Sequence, residues 1–322
     1  MAESNSNITF NVPILFIVFN RFESTRLVFD QIKEIRPSKI YLASDGPREN
    51  KPSEALIIYE IREYLLQNCN WNCEIFTKFS DTNLGCKHAV SSSIDWFFTN
   101  EMSGIILEDD CLPDPSFFHY CAELLVKYEF DFSVSHIAGS NHLCDSLIMG
   151  DYFFSKYTLI WGWATWRSRW KDYDILLKNI KSNNFIDKMF SNWLDRYYWK
   201  SIFNQTVKGE IDTWDYQWMF TCWNNGKKAI LPQKNMITNS GFSEDATHTV
   251  DNLNPLANLP RFSNRIISEP TTNRINFEID ELIQKRFFRP TLYSVLKFEL
   301  RNIILIAFPF IYHFYKFIFK NR

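Results

Sequence analysis

The chain has 322 residues, a net charge of −2, 46% apolar and 22% charged residues, which suits a large globular core and excludes a disordered tail, a collagen-like fibre or a disulfide miniprotein. The charge is uneven: residues 286–322 carry seven basic side chains against Glu299 alone, a net +6, so residues 1–285 carry −8. An acidic body is a poor nucleic-acid binder, because phosphate contacts need a concentrated positive face.

The first twelve residues are polar and lack the basic and apolar regions of a secretory signal, so a cytoplasmic setting is expected. Seven cysteines without CxxC spacing fit reduced, mostly buried thiols rather than zinc ligands. Residues 12–19 are apolar and predict a strand, followed by Asn20-Arg21 and a helix over 23–35. A second strand over 39–44 ends at Asp45-Gly46-Pro47, which is turn chemistry. Ile57, Ile58, Ile61 and Leu65 recur at helical spacing. Residues 73–78 predict a third strand, and Asn83-Leu84-Gly85 opens a helix reaching about residue 99. Residues 104–107 form a short fourth strand that runs into Glu108-Asp109-Asp110. Pro115 opens a helix to about 128, and 135–138 read as a fifth strand. Strands alternating with helical crossovers predict an α/β fold, with a mostly parallel sheet between helices. Ligands of such sheets gather beyond the carboxyl ends of the strands, where three polar strand ends converge here.

From 157 to about 225 the chain is rich in Trp and reads as helical, and 229–238 reads as one late strand. Asn-Pro, Leu-Pro and Glu-Pro steps mark 251–285 as an irregular wrap, leaving residues 1–250 as the main domain and 286–322 as a basic apolar tail. Residues up to about 140 and residues 141–250 are the two halves of the main domain. No GxGxxG or GxxxxGK[ST] is present.

Glu108-Asp109-Asp110 is the sharpest feature. Consecutive carboxylates repel, and a hard divalent cation, Mg²⁺ or Mn²⁺, relieves that cost while taking its other ligands from phosphates and water. Alone, such a triplet is more often a solvated loop or a helix N-cap; after a buried strand and beside other polar strand ends it points to metal–diphosphate binding. Asp45 is either a turn residue or an acceptor for base N–H or ribose hydroxyl groups. Arg21 and Lys87 are cations that can neutralise a diphosphate. Asp215, set between Trp214 and Tyr216-Gln217-Trp218, is a candidate general base, because apolar surroundings favour a carboxylate's protonation. The competing reading makes Trp214 and Trp218 an i, i+4 core pair. His248, in a late loop with Glu244 and Asp245, is a candidate ligand for metal or phosphate; His88 and His142 are weaker candidates.

In this order and spacing the segments resemble GT-A nucleotide-sugar glycosyltransferases, and more closely bacterial enzymes of the N-acetylglucosaminyltransferase I type, grouped with HlpA-like proteins. The triplet is similar to that family's metal motif. Asn20-Arg21 and Asp45-Gly46 are similar to its nucleotide-binding strand ends, Trp161-Gly162-Trp163 to its acceptor-side segment, and Trp214-Asp215 to the step carrying its base. The resemblance covers residues 12–249 and implies that 1–250 is a GT-A catalytic domain, with about 1–140 its nucleotide-sugar half and 141–250 its acceptor half. It implies that Asp110 ligates Mn²⁺ or Mg²⁺, Asp109 faces the ribose, Glu108 the donor sugar and Asp45 the base. Asp215 would deprotonate the acceptor, with Asp212 competing for that role. The implied reaction is inverting transfer from a UDP-sugar to a glycan or lipid-linked acceptor in surface polysaccharide synthesis. A sugar nucleotidyltransferase or a noncatalytic carbohydrate-binding protein is the alternative. The apolar stretch 303–319, broken by Pro309 and flanked by Arg301, Lys316, Lys320 and Arg322, is too short to span a bilayer and predicts peripheral contact with a cytoplasmic membrane face.

Overall fold

The computed structural model describes residues 10–143, 150–178, 180, 184–241, 256–257 and 259–307. Alternating apolar runs and amphipathic helices build the first half: β1 (Ile14–Val18), α1 (Phe22–Ile35), β2 (Lys39–Ser44), α2 (Glu54–Asn68), β3 (Glu74–Phe79), α3 (Gly85–Asn100) and β4 (Ser103–Glu108). Then come β5 (Cys111–Pro113), α4 (Ser116–Lys127), β6 (Val134–Ala138), β7 (Tyr152–Ser155), β8 (Trp163–Trp166) and α5 (Arg167–Trp170). The remainder comprises α6 (Phe185–Met189), α7 (Trp193–Val207), α8 (Asp215–Asn224), β9 (Lys228–Pro232), β10 (Ile237–Asn239), α9 (Phe277–Ile283), a π-helical turn (Gln284–Phe288) and α10 (Leu292–Ala307).

Eight strands form one sheet in the order β3-β2-β1-β4-β8-β6-β9-β7. The β3-β2-β1-β4 half is parallel throughout, as is β6-β9, while β8 and β7 run antiparallel to their neighbours. This is the mostly parallel α/β sheet flanked by helices that the strand–helix alternation predicts. Both faces are buried, which is why β1 is apolar at every position. Ile14, Phe16 and Val18 pack with Val28, Phe29 and Ile32 of α1. Leu15 and Ile17 point the other way, onto Val90, Ile94 and Phe97 of α3. Each such side chain contributes about 1.5–3 kcal/mol on full burial. A third cluster joins α7 and α8 through Trp199, Phe203, Phe220 and Trp223, and Ile279 and Ile283 of α9 close it. Thus residues 277–283, inside the stretch that reads as irregular, form a docked helix, held by the Asp280 carboxylate accepting from Ser155 Oγ and Lys156 N.

Two expectations are corrected. The Trp-rich segment is not uniformly helical: Trp163–Trp166 is the strand β8, inserted between β4 and β6 with every residue buried. Aromatic and β-branched residues suit a pleated buried surface, and tertiary pairing decides the conformation of so short a run. The late strand is two strands, because Pro232 ends β9 and the chain turns through a buried Asn235, whose side chain donates to Ile237 O and Pro260 O. Beyond that turn β10 leaves the main sheet and pairs antiparallel with β5, laying Asn239 opposite Cys111. Among the described residues, no helix is long and apolar enough to cross a membrane, and six cysteines are free, with Cys111, Cys121 and Cys222 buried.

Candidate functional site

Parallel register brings the polar strand ends together. Val18 pairs with Ser44 and Ile17 with Glu108, so the chain leaving β1, β2 and β4 delivers Phe19-Asn20-Arg21, Asp45 and Glu108-Asp109-Asp110 to one edge. The Arg21 guanidinium lies between two carboxylates, its Nη1 donating to Asp109 Oδ1 and to Asp110 Oδ2, each at 3.0 Å. Asp109 Oδ2 also accepts the Phe19 backbone N–H at 2.9 Å. Burial opposes the charge on Arg21, but Asp109 and Asp110 outweigh it and hold the guanidinium more firmly protonated. Burial pushes Asp109 up to about 6 against the pull of Arg21. Glu108 is driven well above the usual carboxylate range, first by burial and then by Asp110, Asp109 and Asp215. The cluster thus holds more negative charge than Arg21 neutralises.

Two cavities share this floor. One, of about 270 Å³, opens toward the ends of β1 and β2 and is lined by Phe19, Asp45, Arg48, Asn83, Asp109 and Asp212. The other, of about 240 Å³, is lined by Ile160, Trp161, Thr213, Trp214, Asp215 and Asn239. Arg21, Cys86, Glu108 and Asp110 belong to both walls. A molecule in the first cavity and a molecule in the second therefore meet over Glu108 and Asp110.

Asp45 does something other than wait for a ligand. Its Oδ1 accepts from the backbone N–H groups of Gly46 and Leu84, each at 2.9 Å, and its Oδ2 from Asn83 Nδ2 at 2.9 Å and Gly85 N at 3.2 Å. Four donors use the acceptor capacity of one carboxylate, which leaves no evident room for a base N–H. Asp45 is the distant N-cap of α3, satisfying orphan amides of that helix's first turn. Burial nevertheless outweighs the Leu84, Gly46 and Gly85 donors and pushes its carboxyl above the ordinary range. The turn is tight: a Cβ on Gly46 would fall 2.5 Å from the Thr82 carbonyl carbon.

Asp215 opens α8, and its Oδ1 accepts the Thr213 hydroxyl. A negative charge in a helix's first turn is favoured by the macrodipole. Trp214 lines the second cavity, although only 1% of its surface is exposed. It stacks on Trp163 at 5.6 Å, and Trp163 in turn lies on His136 at 4.9 Å and beside Trp218 at 5.9 Å. Trp163 is core and lines neither cavity, whereas the partly exposed indole of Trp161 lines the second. His136 is fully buried, with Nε2 2.9 Å from Leu159 O and Nδ1 accepting from Trp218 Nε1 at 3.2 Å. Both ring nitrogens are satisfied only in the neutral tautomer, and burial pushes the imidazole down to about 3.

Asn20 and Lys87 line neither cavity; Asn20 Nδ2 donates to Glu54, an acid that also binds Arg48. His142 is buried against Trp161 and Phe287, His88 is exposed, and His248 lies outside the described residues. Arg48, Asn83 and Cys86 are lining residues whose sequence context carried no separate signal, although Arg48 closes the Asp-Gly-Pro-Arg turn and Asn83 opens α3. The Cys86 thiol is pushed up by burial and then by Glu108, Asp215 and Asp212, which keeps it protonated.

Among the described residues, no three His, Cys, Asp or Glu side chains are arranged to enclose a metal ion. A hard divalent cation that completes its shell from phosphate and water needs only one or two carboxylates. Asp110 fits that requirement: it lines both cavities, and its Oδ1 accepts from the weakly donating Cys111 thiol at 3.4 Å. Its setting is cradled by β10's continuation, where Ser240 N donates to Asp110 O at 2.9 Å and a Cβ on Gly241 would fall 2.2 Å from Asp110 Oδ2.

No protein-family model matches this chain, and no curated protein matches it by sequence. Its fold is similar to a mannosyltransferase from Pyrobaculum calidifontis in complex with GDP-Man and Mn²⁺, with a TM-score of 0.35, 9% identity and coverage of 68% of this chain and 70% of that one. It is similar also to a UDP-glucose pyrophosphorylase complexed with UDP-glucose, with a TM-score of 0.34, 10% identity and coverage of 71% and 92% respectively. A third is the glycosyltransferase GlyE of Streptococcus pneumoniae TIGR4, with a TM-score of 0.31, 12% identity and coverage of 76% of this chain and 58% of that one.

Proposed function

We propose that this chain is a metal-dependent glycosyltransferase of the GT-A kind, which moves a sugar from a nucleoside-diphosphate donor, a UDP-sugar, to a hydroxyl of a glycan or lipid-linked acceptor with inversion. The observation that carries the reading is the pair of adjoining cavities sharing Arg21, Glu108 and Asp110 as one wall. Two substrates bound there would react across the carboxylate edge of β4.

The first cavity holds the donor. Asn83 and Arg48 offer it polar groups, and Phe19 offers an apolar surface. Each Asp109 oxygen has one protein donor and keeps a second lone pair for a ribose hydroxyl. Arg21, already drawn over the carboxylates, supplies a fixed positive charge beside the diphosphate. Asp110 would hold Mn²⁺ or Mg²⁺, which supplies Lewis-acid stabilisation of the departing nucleoside diphosphate. In the second cavity Trp161 presents an indole face to the acceptor, and Asp215, oriented by Thr213, takes the proton of the attacking hydroxyl. Glu108, which lines both cavities, hydrogen-bonds the donor sugar.

The test is turnover of a donor panel (UDP-glucose, UDP-galactose, UDP-N-acetylglucosamine and GDP-mannose) with Mn²⁺, scoring the nucleotide released. Free nucleoside diphosphate, formed with one donor and lost in Asp215→Asn, is the expected result. Pyrophosphate-dependent formation of nucleoside triphosphate would establish a nucleotidyltransferase instead. Turnover of no donor by folded protein would refute the reading.

A further inference from the structure

The last described element does not belong to the catalytic cleft, and its composition is unlike that of the other surface helices. Along α10, Leu292, Tyr293, Leu296, Leu300 and Ile303 are 54–74% exposed. At 100° per residue these five fall within one arc of about 100°, a continuous apolar stripe turned to solvent. Single exposed leucines need no explanation, but a contiguous stripe does. Off the stripe, beyond its Leu292 border, Val295 is 7% exposed, and Glu299, the one acid of residues 286–322, lies along that same border and accepts the Tyr197 hydroxyl.

The charges say what covers the stripe. Lys297 and Arg301 follow it along one border, and Arg301 is drawn over the Phe298 ring at 5.3 Å. The segment that holds them carries +6 against −8 on the rest of the chain. A second copy of the chain fits poorly, because pairing two stripes would bring two strongly basic segments together with no free acid to offset them. The sequence that follows α10, residues 308–322, continues the same chemistry with seven aromatic residues, three cations and no acid.

We propose that α10 is a membrane-docking helix, whose stripe of Leu292, Tyr293, Leu296, Leu300 and Ile303 lies in the surface of an anionic bilayer with Lys297 and Arg301 at the headgroups. The inference stands on this helix alone and holds whatever reaction the cleft performs. It also places the membrane near the acceptor wall, because the turn before α10 packs Phe287 on His142, and His142 lies on Trp161 of the second cavity. An acceptor presented from the bilayer would reach that wall.

The test is co-sedimentation of the full chain with phosphatidylcholine vesicles and with vesicles containing about one third phosphatidylglycerol. Binding to the anionic vesicles, weakened by high salt and reduced tenfold or more in Leu296→Glu/Leu300→Glu, is expected. Lys297→Gln/Arg301→Gln should weaken it by about fivefold per charge removed. Both pairs are surface changes, and an unchanged Tm establishes that each variant folds. Equal binding to both vesicle types, or binding untouched by the leucine substitutions, would overturn the proposal. So would an absence of vesicle binding together with dimerisation that the leucine substitutions abolish, since a second copy would then cover the face.

Discussion

Asp45→Ala separates two uses of one carboxylate. In the structure it accepts the Gly46, Leu84 and Gly85 backbone N–H groups and the Asn83 side chain. Removing it strands two backbone donors at the start of α3 and one, Gly46 N, in the turn after β2, in a corner where Asp45 itself is 9% exposed. Each lost hydrogen bond to a charged acceptor is worth about 1.5–3 kcal/mol when no water substitutes, and loss of an ordinary N-cap costs about 0.5–2 kcal/mol. The cavity admits water to part of the corner, so we take about 1 kcal/mol per backbone donor, or about 3 kcal/mol in all. For a chain of this size that lowers Tm by about 4–5 °C. Differential scanning calorimetry reads this directly, and calorimetric titration of the same sample with UDP and Mn²⁺ should show an affinity within about threefold of the parent at a temperature where the variant is folded. A variant with unchanged Tm and a tenfold or greater loss of nucleotide affinity would refute the capping argument and return Asp45 to direct recognition of the base.

Three further outcomes are expected. Asp215→Asn should lower kcat by about 10²–10⁴ while leaving nucleotide affinity in place, whereas Thr213→Val, which removes the hydroxyl that orients Asp215, should cost less, as measured by initial rates. Gly241→Ala puts a methyl group 2.2 Å from Asp110 Oδ2, so metal-dependent nucleotide binding should weaken tenfold or more with little change in Tm, by titration and thermal shift on one sample. His136 is neutral in the fold and pushed down to about 3, against an ordinary 6.5 once unfolded. The unfolded chain therefore binds the extra proton first, so this stability is fully present above about pH 6.5 and is lost as pH falls toward 3. The loss amounts to about 3 kcal/mol by pH 4. Guanidinium denaturation between pH 7 and 4 should show that slope, and His136→Gln should flatten it.

The first half of the chain was legible because each strand is a short apolar run closed by a turn or a charge. Parallel order then follows from the helices between the strands, and parallel register places Arg21, Asp45 and Glu108-Asp109-Asp110 at one edge. The Trp-rich half was not legible in the same way. Trp163–Trp166 is β8 only because β4 and β6 leave a gap with paired backbone groups on either side, and no local period records that gap. Likewise, residue type does not show that Asp45, which lines the first cavity, also caps α3, or that Trp163 fills the core. Arg48 and Asn83 enter the cleft through the turn after β2 and the start of α3. Their placement depends on how those loops approach one another, which is set by the Asp45 hydrogen bonds and the close fit of Gly46 against Thr82.

The central claim is that the β4 carboxylates form a metal-dependent nucleoside-diphosphate site. It is tested most directly by calorimetric titration of the full chain with UDP and with GDP, each with and without Mn²⁺, and again in Asp110→Ala. The account predicts binding of UDP that requires Mn²⁺ and disappears in the variant while its Tm holds. Failure of folded protein to bind either nucleotide with Mn²⁺ present, or equal binding by the variant, would contradict it.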